Sequence, residues 1–259
     1  MDTSTTGRAV HAEWIKITTL RSTWLTALLA VAAAVTFAVL IYHSAAHDWP
    51  KMTPAEHAGF DPVRVGFSGP MDLAVLALGT LGVLTAGGEY GTGLIRTTFT
   101  AVPRRGHVVT AKILVVGGLT LLLGEATAFT VFEVGQHLIV STGAQVTLTH
   151  PYVARAVVGA GVYLTASALI GLGLGFVIRR TAGALAAFFG LYFVAQMVLG
   201  AFSDTTAKLA LAAVFDSICS MRTPPGKVEP SVPAAFAILA GYVVLSLGAA
   251  FVAVRRRDA

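Results

Sequence analysis

The chain has 259 residues, of which 55% are hydrophobic and 12% are charged, and its mean hydropathy is +0.76. Soluble domains average about a quarter charged residues, so this composition excludes an ordinary soluble domain and indicates a membrane-embedded chain. The net charge of +5 would suggest nucleic-acid binding in a soluble protein. No nucleic-acid motif accompanies the basic residues, which flank apolar runs and can meet anionic lipid headgroups, so we expect membrane lipids and no nucleic acid as partners.

The segment before the first long apolar run, "GRAVHAEWIKITTLRSTW", has the pattern of an amphipathic helix. Its apolar residues fall near helical spacing: Val10, Trp14, Ile17 and Trp24. The charged Glu13 and Lys16 are offset from them, so we predict a helix in the membrane interface with its aromatic side inward. A basic, aromatic membrane flank without such a helix is the alternative. A cleaved signal peptide is disfavoured because the following apolar run is longer than the usual hydrophobic core of about 7 to 15 residues.

Six apolar runs are long enough to cross a bilayer as helices, which needs about 20 residues each. The predicted spans are residues 24–42, 71–87, 113–140, 155–178, 182–202 and 233–254. The third is longer than a bilayer requires, so we expect it to tilt or protrude. The sequence therefore predicts an all-α polytopic membrane protein with one transmembrane domain over residues 1–259.

The basic residues predict the orientation of these spans. If both termini are cytoplasmic, the inner segments hold 12 of the 18 Lys and Arg residues: Arg8, Lys16, Arg21, Arg96, Arg104, Arg105, Lys112, Arg179, Arg180, Arg255, Arg256 and Arg257. The outer segments hold the other six: Lys51, Arg64, Arg155, Lys208, Arg222 and Lys227. Since cytoplasmic loops carry the excess of Lys and Arg, we expect a multi-pass cell-membrane protein with both termini inside.

The stretch "GEYGTGLIRTTFTAVPRRGHVVTAK" lies between the second and third predicted spans. Its glycines permit a sharp turn after Glu89 and Tyr90, and its apolar residues can hold one side of a short cytoplasmic helix against the bundle. Val102 precedes Pro103 and is biased away from helix, whereas Pro103 suits the first turn of the next helix. Arg104 and Arg105 are displayed at that break. An ordinary basic loop would explain these arginines but not the arrangement around them.

This stretch, preceded by "EWIKITTLRSTW" and followed at the C-terminus by "RRRDA", resembles the permeases of ATP-binding cassette exporters of the ABC-2 type, especially short actinobacterial members. The likeness runs through nearly the whole chain in the same order. Its most specific part is a Glu-Tyr-Xaa-Xaa-Gly-Xaa-Ile-Arg core, represented here by Glu89, Tyr90, Gly93, Ile95 and Arg96.

The resemblance implies a dimeric permease, either homodimer or heterodimer, whose cytoplasmic turn contacts a separate ATPase subunit. The implied coupling residues are Glu89, Tyr90, Gly93, Arg96, Pro103, Arg104 and Arg105. No G-x-x-x-x-G-K-[ST] phosphate loop occurs in the chain, so we expect ATP and magnesium to bind the partner rather than this transport subunit. The substrate is not encoded in a recognisable motif.

Three ionisable residues inside the third predicted span form a candidate intramembrane polar site, because such groups are costly in a bilayer. Glu125 and Glu133 are eight residues apart and fall on similar faces, and His137 follows Glu133 by one helical turn. They could provide polar packing, or handle a substrate or proton. The alternatives to a permease are therefore an intramembrane enzyme using these residues and a non-catalytic membrane anchor. Two ligands do not make a metal site, and no spacing typical of a catalytic nucleophile or metal motif is present.

Small residues recur along the fourth predicted span at spacings that let helices approach closely: Gly159, Gly161, Ala166, Gly171 and Gly175. The spacing is compatible with packing inside the chain and with a dimer interface. In the last outer loop, residues 205–218 have the apolar spacing of a partly embedded helix.

Overall fold

The structure is a computed structural model that describes residues 3–19, 21–101, 105–221 and 226–256. It is 87% helical, and these described ranges contain no β-strand. The predicted all-α fold is therefore confirmed.

The α-helices alternate between long apolar elements and short ones that lie in the connections. In chain order they are α1 (Thr3–Thr19), α2 (Arg21–Asp48), α3 (Pro54–Gly59), α4 (Pro62–Phe67), α5 (Pro70–Thr92), α6 (Leu94–Ala101), α7 (Arg105–Leu138), α8 (Val153–Ile178), α9 (Thr181–Phe189), α10 (Ala195–Phe202), α11 (Asp204–Ala207), α12 (Leu211–Cys219) and α13 (Val232–Arg256). A π-helical turn, Gly190–Val194, joins α9 to α10 without breaking the rod.

Six of these elements are long and apolar enough to cross a membrane: α2, α5, α7, α8, the continuous α9–α10 rod, and α13. The six predicted spans are thus confirmed, with changes at their ends. The third has 34 residues and begins at Arg105, so Lys112 belongs to the helix rather than to the loop before it. The second continues to Thr92, so Glu89 and Tyr90 also lie on a helix.

The short helices begin at local capping signals. Thr53 and Glu56 form a reciprocal capping box at the start of α3, and Asp61 accepts backbone hydrogen bonds at the start of α4. The segment 45–70 is therefore more ordered than its many turn-forming residues suggest. In the last loop, the predicted helix is present as α11 and α12, and Leu211, Val214 and Ile218 of α12 are buried.

The fourth span, α8, is the centre of the bundle and packs against α5, α7 and α13. A Cβ atom at Gly171 would collide with the carbonyl oxygen of Gly79, and one at Gly175 would lie 2.9 Å from the carbonyl oxygen of Val83. These glycines therefore bring α8 against α5 of the same chain. Contacts within the chain therefore account for Gly171 and Gly175, and Gly161 in the same way lies against Glu125 of α7.

The fifth span, the α9–α10 rod, lies at the edge of the bundle. Only 11% of its most apolar stretch is buried, compared with 67% for α8. Phe193, Val194, Met197 and Val198 present a continuous exposed apolar surface, as lipid-facing or partner-facing helices do.

Contacts at the helix ends define two opposite sides of the bundle. On the terminal side, Arg105 at the start of α7 donates to the carbonyl oxygen of Val254 near the end of α13, and α1 packs on α7. On the loop side, Tyr42 of α2 donates to Pro62 of α4, and Arg155 of α8 donates to Ser220 after α12. The ends of α5 and α8 and the helix α6 also belong to the terminal side.

Candidate functional site

The connection between α5 and α7 forms the candidate site on the terminal side. Gly93 ends α5 with a φ of +76°, a left-handed conformation that glycine adopts without strain and that redirects the chain into α6. The predicted short helix is therefore confirmed as α6. Its Ile95 is buried, whereas Arg96 is exposed. Of the other predicted coupling residues, Pro103 and Arg104 lie outside the described residues.

Four charged side chains form one connected ion-pair network beneath α6. They are Glu13 and Lys16 of α1, Glu89 of α5 and Lys112 of α7, and we call them the four-charge network. Lys112 Nζ lies 2.6 Å from Glu13 Oε2 and 2.8 Å from Glu89 Oε1. Lys16 Nζ lies 2.7 Å from Glu13 Oε1 and 3.0 Å from the same Glu89 oxygen. Each lysine therefore bridges both carboxylates.

Backbone and hydroxyl groups complete this network and connect it to the neighbouring helices. Lys112 also donates to the carbonyl oxygen of Thr85 at 3.0 Å, and Lys16 donates to the hydroxyl of Thr98 at 3.2 Å. Thr98 belongs to α6, so one cluster joins α1, α5, α6 and α7. A displacement of α6 would therefore act on charges that hold the second and third spans.

The inner half of the network is removed from solvent. The side chain of Lys112 is 2% exposed and that of Glu13 is 4% exposed, whereas Lys16 is 41% exposed. Losing one partner of a buried pair is costly because it leaves an uncompensated charge away from water. Burial lowers the pKa of Lys16, but its hydrogen bonds and charge interactions with Glu13 and Glu89 outweigh that effect and raise the pKa overall.

Sequence reasoning missed this network because it placed Glu13 on the solvent side of α1. The buried side of α1 instead consists of Ala9, Glu13 and Ile17, while Trp14 is 44% exposed. The prediction of a helix is confirmed, and Lys112 provides the counter-charge that makes burial of Glu13 favourable. An acid and a base three residues apart on one helix, Glu13 and Lys16, were the available sequence signal.

Two arginines attach the same connection to the rest of the bundle. Arg179, in the short link between α8 and α9, lies over the ring of Tyr90 at 5.1 Å and donates to the carbonyl oxygen of Ala253 at 3.1 Å. Arg105 lies over the ring of Phe99 at 5.3 Å, besides its contact with α13. Arg105 therefore holds α6 and α7 together rather than being displayed freely at the break. Of the two predicted coupling arginines that the structure describes, Arg105 is partly buried and Arg96 is exposed.

A groove of about 250 Å³ opens between α1, α6 and the start of α7, directly above the four-charge network. Ala9, Ala12, Thr97 and Val108 supply most of its wall, together with Glu13 and Lys16 of the network. The groove is small and mostly apolar, so it suits one or two side chains of a docked protein rather than a nucleotide.

The three residues of the candidate polar site in the third span differ in their surroundings. Glu125 is half-buried against Gly161 of α8, and its Oε2 has no hydrogen-bond partner among the described residues. Glu133 and His137 are exposed on the outside of α7. No hydrogen bond or ion pair joins these three side chains, and Glu133 and His137 lie one turn apart on an exposed side of α7, so the polar site stays a prediction.

No group of three or more potential metal ligands occurs in the part of the chain that the structure describes. In comparisons with known proteins, no family model and no curated protein matches this chain.

Proposed function

We propose that this chain is the permease subunit of an ATP-binding cassette exporter, of the ABC-2 type that its sequence resembles. The observation that carries the proposal is the four-charge network beneath α6. The short helix α6 has an exposed arginine and rests on charges shared by α1, α5 and α7. A separate protein that binds α6 can therefore move these three helices.

The proposed mechanism follows the contacts outward from α6. A partner ATPase binds ATP and magnesium, closes, and pushes on α6 and the adjacent groove. Thr98 passes the displacement to Lys16, and the shared carboxylates of Glu13 and Glu89 pass it to α5 and α7. The bundle, paired with a second permease copy or a related subunit, then alternates between inward-open and outward-open arrangements.

The orientation is part of this proposal. The terminal side carries the larger share of basic residues, so we place α1, α6 and both chain ends in the cytoplasm of a cell membrane, where an ATPase has access to ATP. The exposed Trp14 of α1 would then face the lipid headgroups, which suits an amphipathic aromatic ring.

The test is a charge reversal on the exposed surface of α6. Arg96→Glu should weaken co-purification of the partner ATPase about tenfold, the factor that corresponds to about 1.4 kcal/mol, and should change its salt dependence. Lys208→Glu is the matched control, because it reverses one exposed basic charge on the loop side. The ATPase is first identified by mass spectrometry of the native complex, and both variants are then compared at low and high salt.

A second variant separates docking from coupling. Glu89→Gln preserves the size of the side chain but removes the charge shared by Lys16 and Lys112, so the ATPase should still bind while transport-coupled ATP hydrolysis falls. If Arg96→Glu and Glu89→Gln both behave as wild type at normal expression, α6 is not the coupling element and the proposal is wrong.

A further inference from the structure

The carboxyl group of Glu125 lies in the seam between α7 and α8. It stands against Gly161, where an added Cβ atom would lie 2.4 Å from the Glu125 Cδ atom. Gly161 is about 12 Å from the loop-side end of α8, a helix of 26 residues. The carboxyl group is therefore well inside the span, and the absence of a side chain at Gly161 makes room for it.

The surface around this part of the seam is apolar. Leu121 and Leu122 lie one turn before Glu125 on α7, and both are exposed, Leu122 to 70%. Val158 and Val162 of α8 are exposed on the other side of the seam. Exposed apolar side chains on two neighbouring spans form a lipid-facing surface, so the open part of the half-buried Glu125 side chain meets hydrocarbon rather than water.

No hydrogen-bond donor satisfies this carboxyl group. Its Oε2 is enclosed, and neither oxygen has a partner among the described residues. The carbonyl oxygen of Gly161 faces α7, 2.9 Å from the position of a Cβ atom on Gly124, and the hydroxyl of Thr165 donates to that carbonyl. A carboxylate without a donor is unfavourable in hydrocarbon, whereas a protonated carboxyl is uncharged and can itself donate to a carbonyl oxygen.

The titratable side chains around α7 are engaged elsewhere. Tyr42 of α2 packs on Gly135, about 15 Å along α7 from Glu125, and donates to Pro62. His43 and His47 lie beyond it on the loop side. The other groups on neighbouring helices have their own partners: Arg155 with Ser220, Tyr163 with Leu211, Tyr242 with Leu209, Asp61 with Met221, Arg64 with Asp216 and Glu229, Asp72 with Asp216, and Glu13, Lys16, Glu89 and Lys112 with one another. No charged side chain in the described ranges acts electrostatically on Glu125.

We propose that Glu125 is a proton-binding site within the membrane. At neutral pH its carboxyl group is the uncharged acid, and it is accessible from the lipid through the exposed surface of α7 and α8. Release of the proton places an unpaired charge in the seam, so it requires water to enter or the two spans to separate. The site does not depend on the permease proposal, since it requires neither the ATPase nor transport.

An apolar carbodiimide tests the site, because dicyclohexylcarbodiimide enters hydrocarbon and adds to protonated carboxyl groups. The purified full chain is reconstituted in phosphatidylcholine vesicles and treated at neutral pH, and mass spectrometry of its peptides locates the adduct. Glu133 is the internal control, because it is exposed on the same helix, about 12 Å nearer the loop side. We expect Glu125 to react about tenfold faster than Glu133, a ratio that corresponds to about 1.4 kcal/mol.

Infrared difference spectra provide a second readout that needs no reagent. The wild type at neutral pH should show the carbonyl stretch of a protonated carboxyl, and Glu125→Gln should lack it. Gln has the shape of the uncharged acid, so thermal unfolding should verify that this variant is folded. Glu133→Gln is the matched control and should keep both the band and the adduct. An absent adduct at Glu125, equal rates at Glu125 and Glu133, or a band that persists in folded Glu125→Gln would overturn the proposal.

Discussion

The two ends of the bundle each carry a cluster of ion pairs, and the clusters differ in burial. On the terminal side, Lys112 and Glu13 are almost completely buried and lie on helices that span or flank the bundle. The loop-side cluster consists of Arg64, Asp216, Lys227 and Glu229, and it joins the short helices α4 and α12 to the segment before α13. There Lys227 is 53% exposed and Asp216 is 23% exposed, while Arg64 and Glu229 are more deeply buried.

This difference indicates different roles. Removing one partner of a buried pair exposes the other to a large desolvation penalty, whereas exposed pairs contribute little. The terminal cluster therefore holds long helices in one arrangement. The loop-side cluster joins short helices instead, and its Arg64–Glu229 pair is the part shielded from solvent.

The largest expected effect concerns the side of the membrane on which each cluster lies. In a Cys219→Ala background, Arg8→Cys and Arg255→Cys should resist an impermeant thiol reagent in intact cells, while Lys208→Cys should react almost completely. Labelling of Cys219 itself should be low even without the Cys219→Ala change, because burial raises the pKa of the Cys219 thiol and keeps it protonated. If either terminal position were labelled in intact cells and the Lys208 position were not, the proposed orientation would be wrong.

The second effect compares the clusters directly. Lys112→Met leaves Glu13 and Glu89 without their buried partner and should lower the free energy of unfolding by about 3 to 5 kcal/mol. Arg64→Met should lower it by a similar amount, because it leaves the buried Glu229 without its ion-pair partner, although Lys227 still compensates Asp216. Denaturant titrations in detergent measure both, and the exposed pair of Lys51 with Asp48 provides the control, for which Lys51→Met should change stability by less than about 1 kcal/mol. Equal losses for Lys112→Met and Lys51→Met would refute the distinction based on burial.

The smallest effect is a pH dependence at Lys16, the exposed member of the four-charge network. Its pKa in the folded protein is raised by Glu13 and Glu89, so the stabilisation is fully present below the unfolded lysine pKa of about 10.4 and is lost as pH rises through the folded value. Because this side chain is 41% exposed, we expect Lys16→Met to cost less than about 1 kcal/mol at pH 8. The difference from wild type should disappear at strongly alkaline pH. A difference that persists there would show that packing, and not charge, is responsible.

The elements that could be predicted from sequence are those encoded by local pattern. Apolar runs identified all six spans, because a bilayer requires each helix to be apolar over its own length. The short helix α6 was predicted from the glycines before it and the proline after it. The central position of α8 was not predicted, although its glycines indicated close packing, since spacing alone does not reveal which helix is the neighbour.

The candidate site was predicted in part. Glu89 and Tyr90 were identified, but their partners Lys16, Lys112 and Arg179 were not. Glu89 is 73 residues from Lys16, and Glu13 is 99 residues from Lys112. When its own helix is considered alone, a charged residue is expected to face solvent. Only a counter-charge from a distant part of the chain makes its burial favourable.

By itself, the sequence determined the class of the protein, its six membrane-crossing helices and the short helix between the second and third. These properties follow from hydrophobicity and backbone preferences that act over a few neighbouring residues. Only the tertiary structure decided that Glu13 faces inward, that α8 is the core while the fifth span lies outside, and that Glu125 packs against α8 while Glu133 and His137 are exposed. Those outcomes depend on which helices meet, and the meeting is governed by close packing at glycine and by pairing of charges far apart in the chain.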